Sequence, residues 1–188
     1  MKLQHKLNQL FLAQFSKLVA IHPNRESRHG AQRKGGWVIT GVVWIGLGNF
    51  VAGIFLSAGP VYYGYMTGDA DRFSEFFTAI NAYGFQNTGT PRVQEMLWNY
   101  HVEGHASLGS GISAFPSVHV GMATLIGLYL WRKLGRFGAV ALLFPLAIQI
   151  FSVLLGWHYA VDGYFSIAVV LVAWYFCAYR YSFGERHT

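Results

Sequence analysis

The chain has 188 residues, 53% of them hydrophobic and only 12% charged, about half the charged share of an ordinary soluble domain. A composition this apolar excludes a solvated globular domain or a disordered tail, and the single cysteine, Cys177, excludes an intrachain disulfide framework. The net charge of +6 raises nucleic acid as a partner, but the placement of the basic residues, taken up below, argues against it.

Residues 1–35 are expected to form an N-terminal amphipathic and cytoplasmic segment. Leu3, Leu7, Leu10, Phe11 and Leu18 recur at helical spacing with lysines between them, the pattern of a basic helix lying on the inner membrane surface or of an ordinary packing helix. Lys6, Gln9, Gln14 and Lys17 interrupt any continuous apolar run, so no cleavable signal peptide is expected and the first spanning helix serves as the targeting signal. Pro23 and Gly30 mark the polar stretch before that helix as a linker.

Residues 36–180 are read as the membrane domain, with a cytoplasmic tail at 181–188. Four apolar stretches, near 37–57, 112–131, 137–156 and 159–179, are long enough to cross about 30 Å of hydrocarbon at about 1.5 Å per helical residue. The fold class is therefore all-α, an integral membrane bundle of four transmembrane helices with a short helical outer loop at 58–111. The first span is rich in glycine (Gly41, Gly46, Gly48, Gly53), which allows a neighbouring helix to approach closely. It ends in Ser57-Ala-Gly-Pro-Val-Tyr-Tyr63, where Gly-Pro should break the helix. The tyrosines there are either an aromatic belt or, Tyr63 included, one wall of a headgroup pocket.

In the loop, Phe73, Phe76, Phe77 and Ile80 recur at helical spacing, as do Val93, Met96, Leu97 and Tyr100. Two short amphipathic helices over the outer mouth are predicted, separated at Thr88-Gly-Thr-Pro91. The second span opens with Ser113 as candidate N-cap and Pro116 in its first turn. The third contains Pro145, expected to kink it, and Gln149, expected to hydrogen-bond to a neighbour.

Twelve of the fourteen Lys and Arg lie before the first span, between the second and third, or after the fourth. In a four-span chain these places share one side, which the positive-inside rule makes cytoplasmic. Both termini are then inside, and the opposite face carries only Arg72 and Arg92. A bacterial inner or cell membrane suits this arrangement.

Two stretches place chemistry-bearing side chains at the ends of apolar runs on that opposite face: Gly111-Ile-Ser-Ala-Phe-Pro-Ser-Val-His119 and Gly156-Trp-His-Tyr-Ala-Val-Asp-Gly163. Polar groups there are costly unless partnered or used. Ser117 and His119 sit where free helix N–H groups can hold an anion. Asp162 follows His158 by four residues, one helical turn. A histidine held by a carboxylate can attack phosphorus through its other nitrogen, and a second histidine can protonate the departing alkoxide. A structural His158–Asp162 ion pair, or an interfacial anchor at Trp157-His-Tyr159, uses the same residues without chemistry. His101 and His105 are read as solvated loop residues.

Ala114-Phe-Pro-Ser-Val-His119, followed by His158-Tyr-Ala-Val-Asp162, resembles the second and third signature motifs of the phosphatidic acid phosphatase type 2/haloperoxidase superfamily. Ser57-Ala-Gly-Pro-Val-Tyr-Tyr63 is similar to a segment of its inositol phosphorylceramide synthase-like, inositolphosphotransferase branch. The resemblance spans about 37–178. It implies a lipid phosphotransferase or phosphatase with no metal or other cofactor and a lipid phosphate as substrate in the bilayer. His158 would be the nucleophile forming a phosphohistidine, Asp162 its orienter, His119 the general acid and base, and Ser117 a phosphate contact. The chain departs from the family's phosphatases in lacking any Arg-Pro, in having Ser152 in place of an arginine six residues before the histidine, and in Val118 in place of a glycine. Members usually have six spanning helices, against the four expected here. Arg92 and Arg72 are assigned to phosphate binding on charge alone, and the missing phosphatase arginines tilt the expectation toward phosphotransfer. Outside this family, the same histidines and aspartate would serve a metal- or haem-binding membrane protein, or an inactive scaffold in which His158 and Asp162 merely pair.

Overall fold

The computed structural model describes residues 35–104 and 112–183, with side chains through Cys177; the N-terminal amphipathic segment and His105 lie outside the described residues. The fold is all-α, and the one β-type pairing among the described residues is an isolated antiparallel bridge between Ala58 and Ser113. Helix α1 is Gly35–Phe55, and Val42–Val51 within it is wound in wide π turns. Ile39, Val43 and Leu47, four residues apart, form its buried stripe. Its other faces carry exposed Trp37, Ile45, Phe50 and Ile54, a surface that needs hydrocarbon rather than water around it.

Leu56, in the left-handed region, ends α1, and the chain then runs extended to Gly59. Three short helices follow: α2 (Pro60–Thr67), α3 (Ser74–Ala82) and α4 (Thr90–Val102). Two helices were predicted in this loop. The third arises because Pro60, which breaks α1, also occupies the first turn of α2, where its fixed φ and missing N–H cost nothing.

Helix α5 (Val118–Leu134) is the centre of the bundle, contributing Met122, Leu125 and Leu128 to the core with the α1 stripe and Val170. It starts six residues later than the predicted span: Ser117, not Ser113, is the N-cap residue, and Pro116 precedes the helix. Ser113 is instead tied into the bridge to Ala58, with its hydroxyl on the carbonyls of Ala52 and Phe115. A tertiary pairing between distant segments has overridden the local capping signal.

From Val118 to Leu154 the chain is one continuous apolar helical stretch, and with Gly35–Phe55 and Ala160–Cys177 it makes three helices long and apolar enough to cross a membrane. The long one folds back on itself. Gly135 takes a left-handed φ of 61°, a 3₁₀ segment runs from Gly135 to Leu142, and α6 (Leu143–Leu154) returns along α5. The reversal is so tight that a side chain at Gly138 would lie 2.6 Å from the Leu130 carbonyl. Pro145, predicted to kink the third span, sits in the first turn of α6, a position that needs no kink. Helix α7 (Ala160–Phe183) completes the bundle. As a result the end of α1, the start of α5, the end of α6 and the start of α7 meet at one end, covered by α2 to α4.

Candidate active site

The two motifs converge at that end. The Ser117 N–H donates to the Asp162 carbonyl at 3.3 Å, so the first turns of α5 and α7 are joined through their backbones. The Ser166 hydroxyl bonds to the same carbonyl at 2.9 Å. Asp162 is 2% exposed, and its Oδ2 accepts the Tyr159 N–H at 2.7 Å, closing the turn that presents His158.

The His158 ring has two neighbours on its Nδ1 side. The Ala114 carbonyl lies 2.5 Å from Nδ1, and Asp162 Oδ2 lies 3.7 Å from it. A carbonyl can only accept, so Nδ1 carries the hydrogen and Nε2 of the neutral ring keeps its lone pair. The His158–Asp162 pair anticipated from the four-residue spacing is therefore an approach at 3.7 Å without a short hydrogen bond, and the hydrogen bond goes to the backbone of the other motif. Nothing in the residue types marked Ala114 for this, since any residue supplies a carbonyl. His119 stands opposite, with ring centroids 6.5 Å apart, on the exposed side of α5's first turn. Ser117 is fully buried, and its hydroxyl has no hydrogen-bond partner among the described residues.

The segment from Ser57 to Val61 binds both motifs at once. The Ala114 N–H donates to the Ser57 carbonyl at 2.6 Å and the Val61 N–H to the Gly156 carbonyl at 3.0 Å. Between them, Gly59 packs so closely on the Trp157 backbone that an added Cβ would run into its carbonyl. The helix-breaking Gly-Pro of the sequence is thus a strap across the site.

The covering helices are anchored by Gln94, which is buried. Its Nε2 donates to the Leu155 carbonyl at 2.8 Å, and its backbone carbonyl accepts the Tyr62 hydroxyl at 3.1 Å. Burial pushes the Tyr62 hydroxyl well above its ordinary pKa, which keeps it a neutral donor. Trp98 stacks on both Tyr62 and Tyr65. Gln94 escaped the sequence reading because one amide among Val93, Met96 and Leu97 leaves the helical pattern intact. Replacing Gln94 with Ala should leave the Leu155 carbonyl unpaired at a cost of about 1–3 kcal/mol, read as a lower melting midpoint in detergent and faster proteolysis within α2–α4.

The two arginines differ in placement. Burial pushes the Tyr159 hydroxyl up, nearby Tyr63 and Asp162 push it the same way, and Arg72, an exposed side chain, pulls it down. Phe73 bridges Tyr63 and Tyr159 by ring contacts at 5.4 and 6.2 Å, which puts Tyr63 beside the turn that presents His158. Arg92 instead lines a shallow surface cavity on α4 with Glu95, Asn99 and Glu103. His101 is exposed beside Trp98.

The order of the motifs, their placement on helix starts and the facing histidines agree with a comparison against protein families, in which the PAP2 superfamily matches residues 27–176. The chain belongs to the PAP2 superfamily. That membership goes with phosphatase- or phosphotransferase-type chemistry, and the three apolar helices make the chain an integral membrane protein. No curated protein and no solved structure matches it. In this PAP2 member the Ser152 carbonyl accepts the N–H groups of Trp157 and His158, and its hydroxyl donates to the Gln149 carbonyl at 2.9 Å.

Proposed function

We propose that this chain is a membrane enzyme that moves the phosphoryl group of a lipid phosphate through a phosphohistidine at His158, with an alcohol as the favoured acceptor. The observation that carries this reading is the Nδ1 contact to the Ala114 carbonyl, which leaves Nε2 free, with the His119 ring facing it at 6.5 Å. In the first step the Nε2 lone pair forms a bond to phosphorus while the bond from phosphorus to the lipid oxygen breaks. The departing electron pair takes a proton from cationic His119. In the second step His119 removes a proton from the acceptor hydroxyl, whose oxygen attacks phosphorus and returns the N–P electron pair to His158.

Asp162 faces the ring as it becomes cationic, and the first-turn amides after Ser117 supply N–H donors to the phosphate. Arg72 is the preferred phosphate cation because the adjacent Phe73 packs on Tyr63 and Tyr159; Tyr63 lines the same wall, and Arg92 is a secondary candidate. The fold-back at Gly135 supports four membrane crossings, and the charge distribution supports cytoplasmic termini with the site on the outer face. The absence of the family's phosphatase arginines supports transfer over hydrolysis; water at the same intermediate would give a lipid phosphate phosphatase.

The test is to incubate the full chain in mixed micelles with phosphatidic acid labelled in its phosphate, with and without inositol or glycerol. Acid-labile, base-stable label on the protein and label in a new phosphoalcohol are the expected results. Free phosphate alone, whatever alcohol is offered, would overturn the transferase preference. Absence of any labelled protein or product would overturn the reading itself.

A further inference from the structure

We propose that Ser57 is a positioning residue for the His158 nucleophile, acting through the single peptide unit that joins Ala114 to Phe115; the inference rests on the phosphohistidine reading above. The Ala114 carbonyl and the Phe115 N–H are the two ends of one planar, rigid group. At one end, the Ser57 hydroxyl oxygen accepts the Phe115 N–H at 2.8 Å. At the other, the Ala114 carbonyl accepts the His158 Nδ1–H at 2.5 Å. The Ser57 carbonyl also takes the Ala114 N–H at 2.6 Å, so Ser57 holds the chain on both sides of Ala114.

Two physical effects follow. Because the peptide is rigid, pinning its N–H end sets where the carbonyl points, and with it the tilt of the His158 ring. Because hydrogen bonds in a chain polarise one another, accepting from the Phe115 N–H makes the Ala114 oxygen a better acceptor. That matters most in the transition state, when the ring gains positive charge and its Nδ1–H becomes a stronger donor. Ser57 should therefore influence kcat more than KM. A mere loop anchor would be felt equally by its neighbour Ser113, whose hydroxyl bonds to Ala52 and to the Phe115 carbonyl without touching this peptide unit.

The experiment compares wild type, Ser57→Ala, Ser57→Thr and Ser113→Ala of the full chain in micelles with phosphate-labelled phosphatidic acid, alongside ¹⁵N-histidine NMR. Ser57→Ala is expected to slow phosphoenzyme formation about tenfold with KM unchanged within about twofold. Its His158 resonance, assigned by its loss in His158→Asn, should move away from the Nδ1–H tautomer. Ser57→Thr should restore both, and Ser113→Ala should alter neither. Unchanged rate and tautomer in Ser57→Ala, or an equal loss in Ser113→Ala, overturns the proposal. If wild type forms no phosphoenzyme but the tautomer still moves in Ser57→Ala, the positioning role stands and the phosphohistidine reading falls.

Discussion

Changing His158 to Ala is expected to abolish acid-labile phosphate on the protein entirely, whereas His119→Ala should still form it, about 10²–10⁴-fold more slowly. The two outcomes differ because the residues are asymmetric in the structure. His158 is held, with Nδ1 committed to the Ala114 carbonyl and Asp162 3.7 Å away, the arrangement that the proposed nucleophile requires. His119 sits on the exposed side of a helix start, where its loss removes a proton carrier and water can partly replace it. Rapid-quench labelling with phosphate-labelled phosphatidic acid separates the cases. Equal labelling of wild type and both variants would sink the assignment of His158, and complete loss in both would make the two histidines a single unit rather than nucleophile and acid.

The largest effect expected on stability is at Gly59. Its Cα faces the Trp157 carbonyl at a distance that admits no side chain, and the obstacle is backbone, which cannot rotate out of the way. The strap cannot retreat either, because the Ala114 N–H to Ser57 and Val61 N–H to Gly156 bonds hold it on both sides. Gly59→Ala should therefore cost about 1–3 kcal/mol or more, the usual range for overpacking, and should separate the two motifs. A lower melting midpoint and a parallel fall in phosphoenzyme formation are the expected readings. Gly53→Ala is the control, since a methyl there meets nothing within 4 Å; equal behaviour of the two variants would show that the close approach at Gly59 is not what matters.

Much of the site could be read from residue types alone. Polar and ionisable groups at the ends of apolar runs are rare enough that Ser117, His119, His158 and Asp162 stood out, and their four-residue and roughly forty-residue spacings matched two family motifs in order. Periodicity located α3 and α4, although in α4 the buried residue is Gln94 while Val93 and Tyr100 of the expected apolar face are exposed. It missed α2, whose tyrosines and glycine show no helical stripe, and it ran past the fold-back at Gly135 only as a gap between two spans.

Composition and the length of the apolar runs determined that this chain lives in a bilayer and is helical, because a surface this apolar cannot be hydrated and runs of about 20 apolar residues fit spanning helices rather than the shorter strands of a barrel. The motifs determined which residues are candidates for the chemistry, and the match of residues 27–176 to the PAP2 superfamily agrees with them. What only the tertiary structure decided is how these residues are held: the start of α5 at Val118, the strap from Ser57 to Val61, the anchor at Gln94, and the partner of His158. The reason is physical. These features depend on backbone carbonyls and N–H groups from segments far apart in the chain, such as Ala114 with His158 and Val61 with Gly156, and every residue except proline carries the same pair, so no side-chain pattern can announce which of them will meet.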